Sequence, residues 1–308
     1  MTKVAYVFPG QGSQYAGMGR DLYDDFNSAK AVFDQADEVL GFPLSRLCFE
    51  GPEDELRQTI NAQPALVTTS FACWQAALEA SGGDNWAAPS FVAGHSLGEY
   101  TALVAAGVFD FRTAVYLARE RGRLMYEAGL AQPGSMAAII GLDETLLGEV
   151  CRQTGTWIAN INCPGQIAIG GTVENLNQAM EMAKAKGASR AIPLRVSAAF
   201  HTPLMQPAID GISEILAITT FNEPSIPVVG NTTAQPLTTT ESVKTELLEQ
   251  LSNCVQWQRS IEYMVDNGVD TFVEIGPGKV LTGLIKRING EANLVNIGDT
   301  ETVRSCFS

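Results

Sequence analysis

A serine set between two glycines, in FVAGHSLGEYTALVAAGVF from Phe91 to Phe109, is the first place in this chain where residue types and spacing could do chemistry. Gly94, Ser96 and Gly98 spell G-x-S-x-G, the nucleophile-elbow pattern, in which a sharp strand-to-helix turn lifts a serine hydroxyl above a sheet. So short a pattern is equally a tight turn with a capping serine. Its context fits the elbow, because an apolar run precedes it and an alanine-rich stretch follows. A helix that starts at the serine also points unpaired N–H groups and its positive dipole end at any oxyanion formed there. Serine needs a base at neutral pH, and the chain holds two histidines. His95 adjoins Ser96, where successive side chains diverge, and reads as a packed or hydrogen-bonded structural residue. His201 is then the eligible base. Chain order argues against an α/β-hydrolase enzyme, which runs serine, acid, then histidine near the end of the sheet. Here more than 100 residues, with at least three further strands, follow His201, and no HGGG-type oxyanion loop is present.

Two other groups bear on chemistry. Gly10 and Gly12 begin a G-x-G, but Tyr15 stands where a dinucleotide fingerprint needs its third glycine, and no acidic residue ends a readable second strand. Gln11 and Gln14 nonetheless put amides at the carboxyl end of the first strand, the edge where open α/β sheets bind ligands; a merely polar loop reads the same way. Arg119, Arg121 and Arg123 are two apart, so on a helix at most part of the trio faces inward. The six cysteines form no C-x-x-C pair and have no histidine beside them, which leaves no readable zinc or redox motif. A net charge of −14 argues against nucleic acid or an anionic membrane as partner. The leading apolar run, about six residues, reads as a buried strand rather than a signal peptide, and no stretch has the roughly 18 apolar residues of a membrane span. The expected location is the cytoplasm. Asn231 opens a glycosylation sequon, NTT, to which no meaning attaches without secretion.

The elements that must position these residues follow from periodicity. A strand at 3–8 runs into the glycine-rich loop, and helices are expected near 24–40 and over 64–80, the latter with Pro64 in its first turn. A strand at 90–93 leads to the serine turn and its helix, and Asp110 caps a helix over 111–127. From Ser135 the order becomes strand, helix, strand pair around Cys163-Pro164-Gly165, helix, strand, which is the ferredoxin-like βαββαβ order. Helix 203–217, strand PVVGN, helices near 243–251 and 260–267, strand TFVEIG, helix 279–288 and strand LVNIG complete the chain. The fold class is α/β: a large α/β-hydrolase-like domain with a mostly parallel sheet, residues 1–128 and 197–308, and an inserted ferredoxin-like α+β subdomain, residues 129–196.

Six stretches in order, VFPGQGSQ, GHSLGEY, ARERGRLM, SAAFHTPLM, EQLSNCVQW and VEIGPGKVLTGL, together resemble the malonyl-CoA:acyl carrier protein transacylase family and the acyltransferase domains of fatty acid and polyketide synthases. The resemblance runs from residue 4 to about residue 288 and includes the inserted subdomain. It implies malonyl transfer from malonyl-CoA to the phosphopantetheine thiol of an acyl carrier protein, through an acyl-serine. By matching motif, Ser96 would be the nucleophile and His201 the base, oriented by the main-chain carbonyl of Gln250. The oxyanion would be held by the N–H groups of Gln11 and Leu97. Arg121 would clamp the free carboxylate of the substrate, a task suited to a planar guanidinium. Phe200 resembles the residue that accompanies malonyl selection, and Gln63, Asn160 and Asn162 resemble pocket-lining positions. No cofactor is implied, and a monomer is expected. Acyl carrier proteins are acidic, so docking calls for a local basic patch; Lys184, Lys186, Arg190 and Arg195, with Lys279, Lys286 and Arg287, are the candidates. A serine thioesterase or hydrolase, or a non-catalytic scaffold member of the same family, remains the alternative.

Overall fold

The computed structural model describes residues 3–82 and 88–307. The remaining residues of the expected domain ranges, 1–2, 83–87 and 308, lie outside them. Ten strands are described: β1 (Lys3–Phe8), β2 (Phe91–Gly94), β3 (Ser135–Ile140), β4 (Trp157–Cys163), β5 (Gln166–Gly171), β6 (Arg190–Pro193), β7 (Val228–Val229), β8 (Pro236–Leu237), β9 (Val269–Ile275) and β10 (Asn293–Ile297). They form two sheets, ordered β10-β9-β1-β2-β7-β8 and β4-β5-β3-β6.

The first sheet is parallel except for its edge strand β8, which pairs antiparallel with β7. Strand β1 is buried from Val4 to Phe8, as expected of a parallel strand covered on both faces. Its side chains alternate between two cores. Ala5 and Val7, with Ala93 and Val229, face a cluster containing Trp257, Ile261 and Ile285. Val4, Tyr6 and Phe8, with Val92 and Val228, join the larger cluster that includes Leu66, Leu117 and Phe33. Helices Trp257–Asp266 and Val280–Ile288 therefore cover one face, and helices Asn27–Leu40, Thr59–Ala80 and Phe111–Ala131 the other.

The second sheet is antiparallel throughout, with helices Glu144–Thr154 and Val173–Ala185 sharing its core. Counted within this segment, its strand order is 2-3-1-4, the ferredoxin-like arrangement expected from the βαββαβ order. Its edge strand β4 touches the rest of the molecule: Ile161 N donates to Val255 O (2.9 Å), and Val255 N donates to Ala159 O (2.9 Å). That bridge sets Asn160 beside the loop that follows Gln250.

The structure corrects several boundaries. The helix expected at 64–80 begins at Thr59, so Pro64 lies inside it rather than in its first turn. A proline there cannot donate to the carbonyl four residues back; that carbonyl, Ile60 O, accepts instead from the Arg119 guanidinium at 2.9 Å. PVVGN contributes only Val228–Val229 to the sheet, because the chain turns at once toward Asn231. Helix 203–217 begins as a 3-10 turn, Pro203–Met205, before the α-helix Gln206–Ile218. Short helices Arg20–Asp25, Leu44–Glu50, Glu53–Arg57 and Thr300–Cys306 went unread, being too brief for a clear period. Among the described residues no helix is long and apolar enough to cross a membrane.

The carboxyl ends of β1, β2 and β7 lie side by side at the middle of the sheet and lead to Gln11, Ser96 and Asn231. The helix after Ser96, Gly98–Ala105, begins hard against β1: a Cβ on Gly98 would sit 2.1 Å from Phe8 O and 2.9 Å from Pro9 O. A Cβ on Gly94 would fall 1.9 Å from the carbonyl carbon of Gly98. Both glycines are thus required by close approach. Gly98→Ala is expected to lower the unfolding free energy by about 3 kcal/mol through forced backbone displacement. Urea denaturation measures it, and a loss below about 0.5 kcal/mol, the scale of a neutral surface change, would show that the turn accommodates a methyl group.

Candidate active site

Ser96 occupies left-handed backbone space, with φ of 51°. A non-glycine residue held there is strained by about 1–3 kcal/mol, and its surroundings fix it from two sides. Asn231 Oδ1 accepts from Ser96 N at 2.7 Å, and Gln250 Nε2 donates to Ser96 O at 3.0 Å. The hydroxyl that this turn presents donates to His201 Nε2 at 2.7 Å. His201 also has a left-handed φ, 58°. Its Nδ1 donates to Gln250 O at 2.6 Å, which keeps the proton on Nδ1 and leaves the Nε2 lone pair facing serine. Burial, and then the positive charge of Arg121, push the His201 pKa down to about 3. The ring is therefore a neutral acceptor across the physiological range. His95 behaves as expected of a packed histidine: its Nε2 pairs with Asn162 Oδ1 at 2.8 Å and its ring stands edge-on to Trp257.

Arg121 reaches the same serine from the helix Phe111–Ala131. It is 1% exposed, and Nη2 donates to Ser96 Oγ at 3.2 Å and to Gln250 Oε1 at 2.7 Å. Nη1 donates to Gln63 Oε1 at 2.7 Å, the guanidinium lies over the Tyr100 ring, and Nε is buried with no partner among the described residues. Gln63 is itself aligned by donating to Thr59 Oγ1, which donates to Gln11 Oε1, both at 2.9 Å. Among the described residues, every group that touches this guanidinium is neutral. Its neighbours on the helix go elsewhere, as the spacing required: Arg119 donates to Ile60 O and Asn61 Oδ1, and Arg123 pairs with Glu120 and Glu127.

A cavity of about 440 Å³ opens over these groups, lined in part by Gln11, Ser96, His201, Asn160, Asn162 and Phe200. Among the described residues its lining contains Arg121, Arg195 and Arg57, the last paired with Glu53 and Asp54, and no aspartate or glutamate, in a chain that carries 34 acidic and 20 basic residues. That asymmetry selects for an anionic ligand. Gln63 and Gln250 stand behind the cavity, holding Arg121 and His201. Leu97 contributes backbone only, since its side chain is in the core; as the residue ahead of the helix Gly98–Ala105, it has an N–H with no intrahelical partner. Of the basic residues singled out for docking, Lys184 pairs with Glu181, Lys186 with Glu149, and Arg287 donates to Gln166 Oε1 and Pro164 O.

Sequence reasoning missed Asn231, Glu99 and Thr59. In the sequence Asn231 stands out only as the start of a sequon. Its side chain instead joins three elements, accepting from Ser96 N and donating to Gly94 O at 2.8 Å and to Glu99 Oε1 at 2.6 Å. No local pattern announces such a role. A carboxylate immediately after the serine motif, in an otherwise apolar helix, was the available signal for Glu99.

A strained serine, a neutral buried histidine and an uncompensated guanidinium around one anion-selecting cavity fit a family of known proteins. The acyl transferase domain model matches residues 5–297. The chain belongs to the acyl transferase domain family. Within it, the malonyl CoA-acyl carrier protein transacylase of Bacillus subtilis (strain 168) is 46% identical over 98% of this chain and 96% of its own. The transacylase of the same name from Escherichia coli (strain K12) is 45% identical, over 94% and 93%. Among solved structures, an acyl-carrier-protein S-malonyltransferase from Bartonella henselae superposes with a TM-score of 0.94 at 41% identity, covering 99% of this chain and 98% of its own. A malonyl-transacylase in complex with its holo type II polyketide synthase acyl-carrier protein gives 0.95 at 41% identity, covering 99% of each chain.

The low pKa of His201 has a kinetic consequence. With His201 as the base, the neutral ring above that value is the competent form, so the rate is expected to rise as pH rises through about 3 and to be level beyond. Acylation of Ser96 by a neutral activated ester such as p-nitrophenyl acetate is expected to be flat between about pH 5 and 8, allowing for background hydrolysis. A limb with an apparent pKa near 6.5, the ordinary histidine value, would contradict the assignment of a buried neutral base.

Proposed function

We propose that this acyl transferase moves a malonyl group from malonyl-CoA to the phosphopantetheine thiol of an acyl carrier protein, serving fatty acid synthesis or, in trans, a polyketide pathway. The observation that carries the reading is Arg121, a buried guanidinium with no carboxylate against it, 3.2 Å from the hydroxyl of a serine bonded to histidine. A malonyl ester places its free carboxylate one methylene from the reacting carbonyl. An acyl group on Ser96 would therefore bring that carboxylate to the guanidinium, whose planar fork can take it through two N–H groups.

Each half-reaction balances on the residues present. Ser96 Oγ attacks the thioester carbon while its proton passes to His201 Nε2. The tetrahedral oxyanion is held by the N–H groups of Gln11 and Leu97, at the carboxyl end of β1 and the start of the helix after Ser96. As the C–S bond breaks, His201 returns the proton to the sulfur, and coenzyme A leaves as a thiol. The carrier's thiol then gives its proton to His201 and attacks the ester, and Ser96 Oγ recovers the proton as the C–O bond breaks. Neither step changes an oxidation state, so no redox cofactor enters. Phe200, lining the cavity beside His201, supports malonyl over bulkier α-substituted groups. Asn160 and Asn162 line the wall contributed by β4.

The cleft, on this reading, lies between a large unit of residues 1–128 and 197–308 and the insert of residues 129–196. The sheet memberships support that division. Arg195 at the cavity wall, with members of the basic group that have no ion pair among the described residues, such as Arg190 and Lys279, is proposed to meet the acidic carrier. Action as a monomer in the cytoplasm belongs to the same reading.

Intact-mass measurement after brief exposure to malonyl-CoA tests the function. Wild-type protein is expected to gain one malonyl group and Ser96→Ala none. Arg121→Ala should lose malonylation by about 100-fold or more, the worth of a buried charge-assisted pair, while acetylation from acetyl-CoA falls far less. A wild type that gains no adduct would overturn the reading, and equal losses for both acyl groups would remove Arg121 from carboxylate recognition.

A further inference from the structure

Glu99 is the second residue of the helix Gly98–Ala105, and its side chain is fully buried, at 0% exposure. Every group hydrogen-bonded to its carboxylate is an N–H donor: Asn231 N at 3.0 Å and Asn231 Nδ2 at 2.6 Å on Oε1, and Gln250 Nε2 at 2.6 Å on Oε2. Among the described residues no lysine or arginine is hydrogen-bonded to it. The connection to a cation runs through the Gln250 amide, whose Oε1 accepts from Arg121 Nη2 at 2.7 Å. Carboxylate, amide and guanidinium thus form one buried row, and the acceptor at one end and the donor at the other fix which way the amide between them points.

We propose that Glu99 is a positioning residue that locks the direction of the Gln250 amide and thereby holds Arg121 Nη2 over Ser96, making the site selective for acyl groups that bear a free carboxylate. The reasoning is one of donor and acceptor parity. Reversing the Gln250 amide would turn Nε2 toward Arg121, donor against donor. It would also turn Oε1 toward Glu99 Oε2 and Ser96 O, acceptor against acceptor. A buried mismatch of this kind disfavours the reversed state strongly. Burial, and then the nearby Glu246 carboxylate, raise the Glu99 pKa well above the usual carboxylate range, its three N–H donors opposing only part of that rise. With donors at every contact, a proton on Glu99 would have no acceptor among its hydrogen-bond partners.

Glu99→Gln changes this parity while keeping shape. A carboxamide has a single acceptor oxygen, which the two Asn231 donors claim. Its NH2 group then faces Gln250 Nε2, and the Gln250 amide must turn and push Arg121 away. The Ser96–His201 pair is affected less, because His201 is held by the main-chain carbonyl of Gln250, which a side-chain rotation leaves in place.

The inference rests on the acyl-transfer reading above, and its test separates the two. Second-order rates of Ser96 acylation by malonyl-CoA and acetyl-CoA are measured for wild type, Glu99→Gln, Gln250→Met and the double variant, with folding checked by circular dichroism. Glu99→Gln is expected to lower the malonyl rate by about 30-fold or more and the acetyl rate by less than about fivefold. In the Gln250→Met background, adding Glu99→Gln should shift the malonyl-to-acetyl ratio by less than about threefold, since the amide it acts through is gone. Equal losses for the two acyl groups, or a ratio shift of the same size in both backgrounds, would overturn the proposal. If Glu99→Gln does not fold, Gln250→Met alone decides: a ratio shift toward acetyl supports the row, and an unchanged ratio overturns it. A wild type that malonyl-CoA does not acylate would instead sink the function itself.

Discussion

Burying the charge of Arg121 without a direct counter-ion is the constraint on which the rest of this site depends. Taking a guanidinium out of water is expensive, on the order of several kcal/mol even after relaxation. The structure offsets that with oriented dipoles: the Gln63 and Gln250 oxygens, the Ser96 hydroxyl and the Tyr100 ring. Each of those partners must itself be held. Gln63 is held by Thr59 and Gln11 from the glutamine-bearing first loop, and Gln250 by Glu99 and the Ser96 carbonyl. A site built this way stabilises a cation without neutralising it, and an anionic ligand completes what the protein leaves open.

The same network bears the strain of the serine and histidine that bond to one another across the cavity floor. Ser96 and His201 both sit in left-handed backbone space, and the carbonyl and amide of one residue, Gln250, reach both of them. Asn231, at the end of the short strand β7, ties the serine turn to the end of β2 through Gly94 O. Strain of this kind persists only where surroundings over-determine it. Here the parallel sheet supplies the rigid edge, and the close approach of Gly98 to β1 leaves the turn no room to relax.

Much of this was legible in the sequence, for identifiable reasons. The strands and the inserted βαββαβ unit announce themselves by apolar period, and Gly94-x-Ser96-x-Gly98 by its flanks. Helical spacing limits how many of Arg119, Arg121 and Arg123 point inward without saying which; Arg121 was singled out by the resemblance of ARERGRLM to the family's motif. Pro64 misled because a proline suggests a helix start; the carbonyl it leaves unpaired, Ile60 O, is met by Arg119, 59 positions further along the chain, and no local window contains that fact. Asn231 and Glu99 stayed hidden for the same reason. Their partners lie at sequence separations of 132 and 151 residues, and neither NTT nor the lone carboxylate of the serine helix says which residues those partners are. Local pattern reveals elements; the buried polar row exists only once the elements are packed.

The central claim is that Ser96 holds an acyl group between two thiols rather than delivering it to water. The most direct test isolates the acyl-enzyme formed with malonyl-CoA, removes excess donor, and follows its discharge with and without a phosphopantetheinylated acyl carrier protein. Transfer to the carrier thiol, with loss to water slower by at least about two orders of magnitude, is the predicted result. Free malonate appearing at the same rate whether or not the carrier is present would contradict it.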